Sequence, residues 1–235
     1  MKLKNILITG GCGYFGNSLI RKLIDKGYNV RCLDLLIYGR DSIKNLSNNN
    51  RFIFTQGDIR DEKKVNECLE NIDAIVHLAA IVGDKPCEAA PEAAYDINFI
   101  GTKKLYQLAL KKKIPKFIFA STCSNYGISG DTFANENSKL NPVSLYAESK
   151  IDCENYLETA AQSCTKAISL RFGTAYGISE RTRFDLTVNS FSYEAYKYKK
   201  LTVFAENTWR PYIHVEDMSN IVVEMLEKKQ IQNNF

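Results

Sequence analysis

The sequence has little of what marks fibrous, disordered or membrane-spanning proteins. Of its 235 residues only 5 are proline and 13 are glycine, while 45% are hydrophobic, which excludes collagen, low-complexity chains and intrinsic disorder. The longest apolar stretch, residues 72–82, is interrupted by Asp73 and His77 and is far shorter than the roughly 20 residues of a membrane span. A globular protein without membrane partners is therefore expected.

Charge of one sign and paired cysteines are also scarce. The chain has 31 Lys and Arg against 27 Asp and Glu, a net charge of +4, which argues against nucleic acid as a partner. The seven cysteines lie at least eleven residues apart, without the short spacing of a zinc site or a redox pair. We therefore expect no metal and a reducing, cytoplasmic location.

Short β-branched segments alternate with longer amphipathic ones over the first 172 residues. The pattern predicts strands at residues 4–8, 30–33, 51–54, 74–78, 116–120 and 167–171, and helices at 15–25, 62–70, 93–112 and 146–161. Strands separated by helices imply right-handed crossovers and a parallel sheet covered on both faces. The predicted fold is α/β, a doubly wound, Rossmann-like parallel sheet. Beyond it we expect a helix near 186–198, a strand at 201–204 and a helix at 215–228.

A glycine-rich turn joins the first predicted strand to the first predicted helix. Gly10, Gly13 and Gly16 lie within the segment GGCGYFG, where glycines permit a sharp turn, close approach of a pyrophosphate and tight packing of helix on strand. The amino terminus of the helix supplies N–H donors and a positive dipole to the phosphates. Because the motif has a strand before it and a helix after it, the sequence predicts a dinucleotide site.

Two acidic residues follow the second and third strands. Asp34 ends the second strand, where a carboxylate accepts hydrogen bonds from a ribose diol, or alternatively caps a loop. Leu35 follows it, which favours NAD over NADP, although Arg31 and Arg40 are cations within the same region. Asp58 is placed to bind the adenine amino group with Ile59 packed on the ring; the alternative is that Asp58 and Asp61 cap the next helix.

A tyrosine and a lysine in the segment YAESK are four residues apart. On a helix, Tyr146 and Lys150 therefore share one face. A nearby ammonium, together with the positive charge of a nicotinamide, is expected to lower the pKa of the tyrosine toward neutrality, so that it acts as a general base. Ser121 and Thr122 end the preceding strand, on the side where parallel sheets bind ligands.

These motifs resemble those of one family, the extended short-chain dehydrogenase/reductases, in the branch of NAD-dependent epimerases and dehydratases that act on nucleotide sugars. The resemblance runs from Leu3 to about Leu226 through TGGCGYFG, GDIRD, HLAA, DINFIGT, ASTCSNYG, YAESK, LRFGTAYG and WRPYIHVEDM. It implies an NAD-dependent nucleotide-sugar epimerase that forms a transient 4-keto sugar and regenerates NAD in each cycle. It also implies a homodimer, formed through the helices at 93–112 and 146–161.

The resemblance assigns roles to particular residues. Thr122 polarises the reacting oxygen, Tyr146 is the acid and base, and Lys150 binds the nicotinamide ribose and tunes Tyr146. Asn98 corresponds to a structural asparagine near the site; a solvated polar residue is the alternative. The implied cofactor contacts are Gly10, Gly13, Tyr14, Phe15, Gly16, Asp34, Asp58, Ile59, Leu78, Ala79, Ala80, Lys150 and Phe172. The implied substrate contacts are Thr122, Ser124, Tyr146, Thr174, Asn189 and Arg210.

The chain departs from the family pattern in three places. Where the 4,6-dehydratases follow the catalytic threonine with an Asp-Glu pair, this chain has Cys123 and Ser124; neither is a carboxyl acid, which disfavours dehydration. Thr174 stands where many members have a substrate-binding asparagine. Family members also continue well beyond Lys228, so we divide the chain into a cofactor domain, 1–172, and an incomplete, intertwined substrate region, 173–235.

Three functions remain open at this stage. They are a nucleotide-sugar epimerase, a reductase, dehydrogenase or dehydratase of the same family, and a nucleotide-binding protein without catalysis. Neither histidine is assigned to catalysis, since His77 and His214 are expected to satisfy local hydrogen bonds. Cys123 is expected to be a small buried residue beside the site.

Overall fold

The structure, a computed structural model, describes residues 3–128, 133–161, 164–203 and 206–228. Six parallel strands form one sheet in the order β3-β2-β1-β4-β5-β6. They are β1 (Asn5–Thr9), β2 (Asn29–Asp34), β3 (Phe52–Gln56), β4 (Ala74–His77), β5 (Lys116–Thr122) and β6 (Lys166–Phe172). A second parallel pair consists of β7 (Thr174–Tyr176) and β8 (Tyr212–His214). The predicted doubly wound, Rossmann-like fold is confirmed.

Helices connect these strands and cover the sheet. They are α1 (Tyr14–Asp25), α2 (Glu62–Cys68), α3 (Asp84–Ala89), α4 (Pro91–Tyr95), α5 (Thr102–Lys111), α6 (Leu145–Thr159), α7 (Thr187–Tyr198) and α8 (Val215–Glu227). Two 3₁₀ segments, Asp41–Leu46 and Cys123–Tyr126, and one π-helical segment, Asp96–Gly101, complete the regular structure of the described ranges.

Alternate strand residues build two separate cores. Ile6 and Ile8 of β1 pack with α1 and α8 on one face of the sheet, whereas Leu7 packs with α2, α5 and α6 on the other. Because successive side chains of a strand point to opposite faces, a strand buried on both sides is apolar at every position. The helix α8, which follows the second strand pair, therefore completes the core beside α1.

Local sequence signals set several helix ends. The Ser144 side chain accepts a hydrogen bond from Ala147 N and begins α6, and Asp61 caps α2 in the same way through Lys64 N. After α1, Gly27 takes a φ of +88°, the left-handed conformation that ends helices without penalty at glycine. The Ser144 cap fixes where Tyr146 and Lys150 lie along α6.

Two elements differ from their prediction. The helix expected over 93–112 is divided, because the π-helical segment Asp96–Gly101 separates α4 from α5. The widened turn carries Asn98, which is buried and therefore not a solvated polar residue. The predicted strand at 201–204 is wrong for residues 201–203, which are exposed coil with no partner strand in the described chain; Phe204 lies outside the described residues.

Membrane-spanning segments are not found in the part of the chain that the structure describes, where every helix is too short or too polar to cross a bilayer. Three or more metal-ligating side chains do not cluster anywhere in the same ranges. The cysteines form no disulfide, although the Sγ atoms of Cys12 and Cys32 lie 4.0 Å apart.

His77 links the sheet to α5 through a chain of buried hydroxyl groups. The Thr102 hydroxyl donates to Asn98 O at 2.5 Å, so the His77 Nε2–H donates to Thr102 Oγ1 at 2.8 Å. His77 Nδ1 then accepts from the Thr9 hydroxyl at 2.6 Å. Burial lowers the pKa of His77 to about 3. The ring is therefore a neutral structural group, as the sequence predicts, and not a catalytic base.

The low pKa of His77 predicts an acid-dependent loss of stability. The unfolded chain binds a proton at this residue near pH 6.5, while the folded chain stays neutral down to about pH 3. The free energy of unfolding should therefore fall between these pH values, by about 1.4 kcal/mol per pH unit for this one group. Denaturant unfolding at pH 7.5, 6 and 5 measures the slope.

A matched pair of variants separates His77 from the acidic residues. His77→Gln should be less stable at neutral pH but show a shallower pH dependence. His214→Gln is the comparison: His214 Nδ1 accepts from Glu216 N at the start of α8, outside the His77 chain, so this variant should not remove the slope that His77 contributes. Equal slopes in all three proteins would contradict the assignment.

Candidate active site

The glycine-rich turn brings α1 against β4. A Cβ on Gly10 would lie 2.6 Å from Ala79 N, and one on Gly16 would lie 2.6 Å from Gly10 O. Larger residues would therefore push the turn away from the sheet. Gly13 differs, because in the described chain a Cβ there would meet only Gly10 O, at 3.3 Å. Its outer side is open to a ligand.

The amino terminus of α1 has unused hydrogen-bond donors. Gly13 provides no side-chain cap, and the first turn contains no acidic residue, so the N–H groups of Tyr14, Phe15 and Gly16 have no intrahelical carbonyl partner. Such donors with the helix dipole suit a pyrophosphate. The turn therefore fits the dinucleotide that the sequence predicts.

Asp34 lies at the end of β2 beside this turn. Its Oδ2 accepts from Cys12 N at 2.9 Å and its Oδ1 from Leu36 N at 2.8 Å. The Asp34 carboxylate therefore caps its loop, as the alternative interpretation has it. Two of its roughly four lone-pair sites remain to accept hydrogen bonds from a ribose diol. The candidate cations point elsewhere: Arg31 donates to Cys68 O at 2.7 Å and Arg40 stacks on Phe54 at 4.8 Å.

Asp58 and Ile59 follow β3 at the same edge of the sheet. Asp58 does not cap α2, as the alternative interpretation had it; Asp61 alone does. Instead, Asp58 Oδ2 pairs with Arg60 Nη2 at 2.6 Å, and this hydrogen-bonded guanidinium lowers the pKa of Asp58. Ile59 is buried against Gly101 of the π-helical segment.

Two segments, one after β4 and one at the end of β6, line the opposite side of the turn. Leu78 and Ala79 contact Gly10 directly, and Ala79 N donates to Thr9 Oγ1 at 3.4 Å; Ala80 is the next residue. Phe172 ends β6 and packs edge-to-face on Phe15, with ring centroids 5.6 Å apart. The predicted cofactor residues from β1, β4, β6 and α1 thus converge at the carboxyl edge of the sheet.

Thr122, Tyr146 and Lys150 are held by β5 and α6. Thr122 ends β5, and its Oγ1 accepts from Ser124 N at 3.2 Å. Lys150 Nζ donates to Ala120 O at 2.8 Å and lies 4.5 Å from the centroid of the Phe119 ring. The distance from Lys150 Nζ to the centroid of the Tyr146 ring is 5.8 Å. The predicted tyrosine and lysine therefore do share one face of α6, next to the end of β5.

The pKa expectation for Tyr146 is wrong for the chain itself. Burial raises the pKa of Tyr146 well above its ordinary value, with Cys87 adding to the effect and the positive charge of Arg183 opposing it. The Lys150 ammonium, 5.8 Å from the centroid of the Tyr146 ring, donates to Ala120 O and not to the Tyr146 hydroxyl. Burial also lowers the pKa of Lys150 to about 8.

The predicted substrate residues lie on the β7 side of this pair. Thr174 begins β7, and its N–H donates to Pro211 O at 2.9 Å, beside Arg210. Arg210 is exposed and close enough to Cys123 for its charge to act on that thiol. Ser124 is half-buried in the 3₁₀ segment after Thr122. Arg210 and Ser124 are thus both neighbours of Cys123, Arg210 through space and Ser124 along the chain.

Asn189 on α7 has a local role that the sequence does not indicate. Its Oδ1 accepts from Gly177 N at 3.0 Å, while its Nδ2 donates to Arg183 O at 3.0 Å and to the Tyr14 hydroxyl at 3.2 Å. The Tyr14 hydroxyl donates to Gly177 O at 2.6 Å. These bonds join the glycine-rich turn to the loop after β7, and one Oδ1 lone pair of Asn189 remains for a ligand.

Arg183 is a further cation at the site, and the sequence analysis did not single it out. It pairs with Asp185 at 2.6 Å, and its charge acts on both Tyr146 and Tyr14. It lies in a polar stretch without periodicity, so no spacing pattern indicates where it folds. The loop after β7 is the element that carries it to Tyr146.

A parallel sheet in the order 3-2-1-4-5-6 with a glycine-rich β1–α1 turn defines a dinucleotide-binding Rossmann protein. Residues 6–234 match the model of the NAD dependent epimerase/dehydratase family. The chain belongs to this family.

The chain is similar to several 4-epimerases. It is 33% identical over 180 residues to a UDP-glucose 4-epimerase of Rhizobium meliloti, covering 75% of this chain and 53% of that protein, or about half its length. A crystal structure of the UDP-glucose 4-epimerase of Thermotoga maritima with UDP-glucose superposes with a TM-score of 0.84, at 29% identity over 95% of this chain and 73% of that one.

A second structure shows a relative with both ligands. The UDP-glucuronic acid 4-epimerase from Bacillus cereus, in complex with UDP-glucuronic acid and NAD, superposes with a TM-score of 0.85 and is 28% identical. The match covers 96% of this chain and 74% of that one.

The open side of Gly13 predicts a variant that folds but loses the cofactor. In Gly13→Ala the new methyl group meets only Gly10 O, at 3.3 Å, yet it occupies the space that a pyrophosphate needs. We expect NAD binding to weaken at least about tenfold, with the melting temperature of the NAD-free protein changed by no more than a few degrees. Calorimetric titration and thermal unfolding measure the two effects.

Gly16→Ala is the matched comparison. Its Cβ would clash with backbone atoms at 2.6 Å, so this variant should lose both stability and NAD binding. If Gly13→Ala binds NAD as the wild type does, the pyrophosphate does not lie on this turn.

Proposed function

We propose that the chain is an NAD-dependent nucleotide-sugar epimerase that acts at C4 through a transient 4-keto sugar. The observation that carries the proposal is the placement of Tyr146 and Lys150 on one face of α6, beside Thr122 and at the same sheet edge as the glycine-rich turn. Open parallel sheets bind ligands at this edge. The similarity to 4-epimerases supports the same function.

Each residue of the site would have its own role in the proposed reaction. NAD held at this sheet edge would supply reversible hydride transfer with the sugar carbon, so that either face of a 4-keto sugar could be reduced. The Tyr146 phenolate, once positive charge at the loaded site has favoured it over the phenol, would take the proton from the C4 hydroxyl and later give it back, while Thr122 Oγ1 holds the reacting oxygen. Lys150 would supply positive charge beside the phenol. Glycines 10, 13 and 16, with Asp34, would hold the dinucleotide.

The residues after Thr122 support epimerisation over dehydration. Elimination of water requires an acid and a base beside the sugar, and Cys123 and Ser124 occupy those positions. Burial raises the pKa of the Cys123 thiol, so it stays protonated near neutral pH and provides no base. A 4,6-dehydratase lacking both carboxyl groups would have no residue here for this step.

The remaining assignments are also proposals. We place three substrate contacts in the region 173–235: Thr174, Asn189 and Arg210, with Arg210 binding the diphosphate because a guanidinium matches phosphate geometry. Thr122, Ser124 and Tyr146 of the cofactor domain complete the set. A reducing, cytoplasmic location fits seven cysteines without a disulfide.

The proposal predicts a reduced-nicotinamide signal that depends on Tyr146. Titrating the NAD-loaded protein with UDP- and dTDP-hexoses should give a transient or partial absorbance at about 340 nm, because oxidation at C4 precedes return of the hydride. In Tyr146→Phe the proton acceptor is gone, and the signal should be lost while NAD binding remains. Product analysis should show the C4 epimer without net consumption of NAD.

Other outcomes identify the alternatives. Stoichiometric use of added cofactor would indicate a reductase or dehydrogenase of the family. NAD binding without any Tyr146-dependent turnover over the whole panel would favour a nucleotide-binding protein without catalysis.

We further propose a homodimer formed through residues 93–112 and α6. Tyr95 is 49% exposed, and its ring is tilted against the Phe99 ring with centroids 5.4 Å apart, while Phe99 meets Tyr156 edge-to-face at 6.4 Å. Lys103 lies over the Tyr156 ring at 5.3 Å. An aromatic surface on two adjacent helices suits a self-complementary interface.

Sedimentation at micromolar concentration tests the dimer. The wild type should sediment at twice the 26.6 kDa of the chain, and Tyr95→Arg should shift it toward the monomer by placing a charge at the centre of the aromatic surface. Tyr196→Arg, at a 78% exposed position on α7, is the matched control and should remain dimeric. A wild-type monomer would contradict the proposal.

A further inference from the structure

Behind Tyr146 and Lys150, the same face of α6 carries a buried carboxylate. Glu154 lies four residues after Lys150 and is 9% exposed. Its Oε2 accepts from Arg171 Nη2 at 2.6 Å, and Arg171 Nε lies 3.1 Å from both carboxylate oxygens. A bidentate pair of this kind fixes the position of both side chains.

Two further donors reach Glu154 from the end of β5. The Ser121 hydroxyl donates to Glu154 Oε1, and Asn125 Nδ2 donates to the same oxygen at 3.0 Å. Ser121 follows Phe117 and Phe119 at a spacing of two, and those residues pack on the α5 and α6 side of the sheet. The residue after Ser121 is Thr122.

Arg171 extends the cluster to the 3₁₀ segment. It faces Ser121 in the register of β5 and β6, and its Nη1 donates to the Tyr126 hydroxyl at 3.1 Å. Glu154 is therefore tied to β5, β6 and the 3₁₀ segment that follows Thr122.

Consecutive residues of β5 are thus bound by successive turns of α6. Lys150 holds Ala120 O and Glu154 holds Ser121, so both contacts set the position of α6 along β5. We propose that Glu154 is a positioning residue that aligns Tyr146 with Thr122 through Ser121 and, one turn of α6 beyond Lys150, places a carboxylate beside its ammonium. The alignment half of this proposal rests on the function proposed above.

The charge on Glu154 acts on Lys150 against burial. Burial lowers the pKa of Lys150 to about 8, whereas Cys153, Cys87 and Glu154 each raise it. The other titratable groups facing Lys150 are His77, on which its charge acts, and Tyr146. Of these groups, His77 is neutral and burial raises the pKa of the thiols and of Tyr146. The Glu154 carboxylate, which is itself paired with the Arg171 guanidinium, therefore acts on Lys150 against burial.

The test compares Ser121→Ala with Glu154→Gln in the full chain, with and without NAD. Ser121→Ala removes one alignment contact but leaves the pair of Glu154 and Arg171. It should lower kcat about tenfold with KM within about threefold, and the Lys150 titration should not move. Glu154→Gln should lower kcat at least as much and also shift the Lys150 midpoint about one pH unit down. The alkaline limb of its kcat profile should move by the same amount.

Lysine-labelled NMR follows the Lys150 ammonium directly, with the signal assigned by its loss in Lys150→Arg. This readout needs no substrate, so it tests Glu154 even if every sugar fails and the proposed function is wrong. Glu70→Gln and Ser47→Ala are matched controls, because Glu70 pairs with Lys112 at the surface and Ser47 is an exposed hydroxyl. Both should match the wild type.

Several results would overturn the proposal. These are a wild-type kcat in Ser121→Ala, or a Lys150 midpoint that stays unchanged in Glu154→Gln. If Glu154→Gln does not fold because Arg171 is left unpaired, Ser121→Ala still decides the alignment. Glu154→Asp, which keeps the negative charge, then tests the effect on Lys150. A Lys150 titration midpoint near pH 8 supports the proposal. A midpoint about one pH unit lower would contradict it.

Discussion

The parallel direction of all six strands is the constraint on which the site depends. Because the strands run the same way, the residues that follow β1, β2, β4 and β5 meet at one edge of the sheet. These residues come together only if α1 can approach the end of β4, and the close contact of Gly10 with Ala79 allows this approach. Any side chain at Gly10 would separate the dinucleotide turn from the strands that carry the rest of the site.

Hydrogen-bonded chains of polar residues then fix the two halves of this edge against each other. Asn98 O accepts from the Thr102 hydroxyl of the His77 chain and from the Cys153 thiol of α6 at 3.1 Å. The Asn98 side chain binds Ile81 N at 2.8 Å. Backbone after β4, on the cofactor side, is thereby connected to the helix that carries Tyr146. Burying these groups is tolerated because each has a partner.

Periodic and local signals made much of this molecule predictable. Doubly apolar strands, the glycine-rich turn and the shared helix face of Tyr146 and Lys150 each follow from residues near one another in sequence, and all were found where expected. The π-helical segment and the coil at 201–203 depend on contacts between residues distant in sequence. Asn98 is buried by its hydrogen bond with Ile81 N, and Leu201 has no neighbouring strand within the described ranges. The spacing of residues in the sequence indicates neither the π-helical segment nor the coil. Arg183 and the contacts of Asn189 were missed for the same reason.

The pKa of Tyr146 depends on contacts that residue spacing in the sequence does not predict. A separation of four residues correctly places the ammonium of Lys150 on the same face of α6, yet it does not say to which acceptor that ammonium is directed. Ala120 O holds it, and burial then dominates, which stabilises the neutral phenol over the phenolate. The phenol that we propose as the proton acceptor is therefore held in its protonated form unless positive charge opposes the burial. Arg183 is on hand to oppose the burial, so the loop after β7 contributes to the acidity of Tyr146 as well as to the shape of the site.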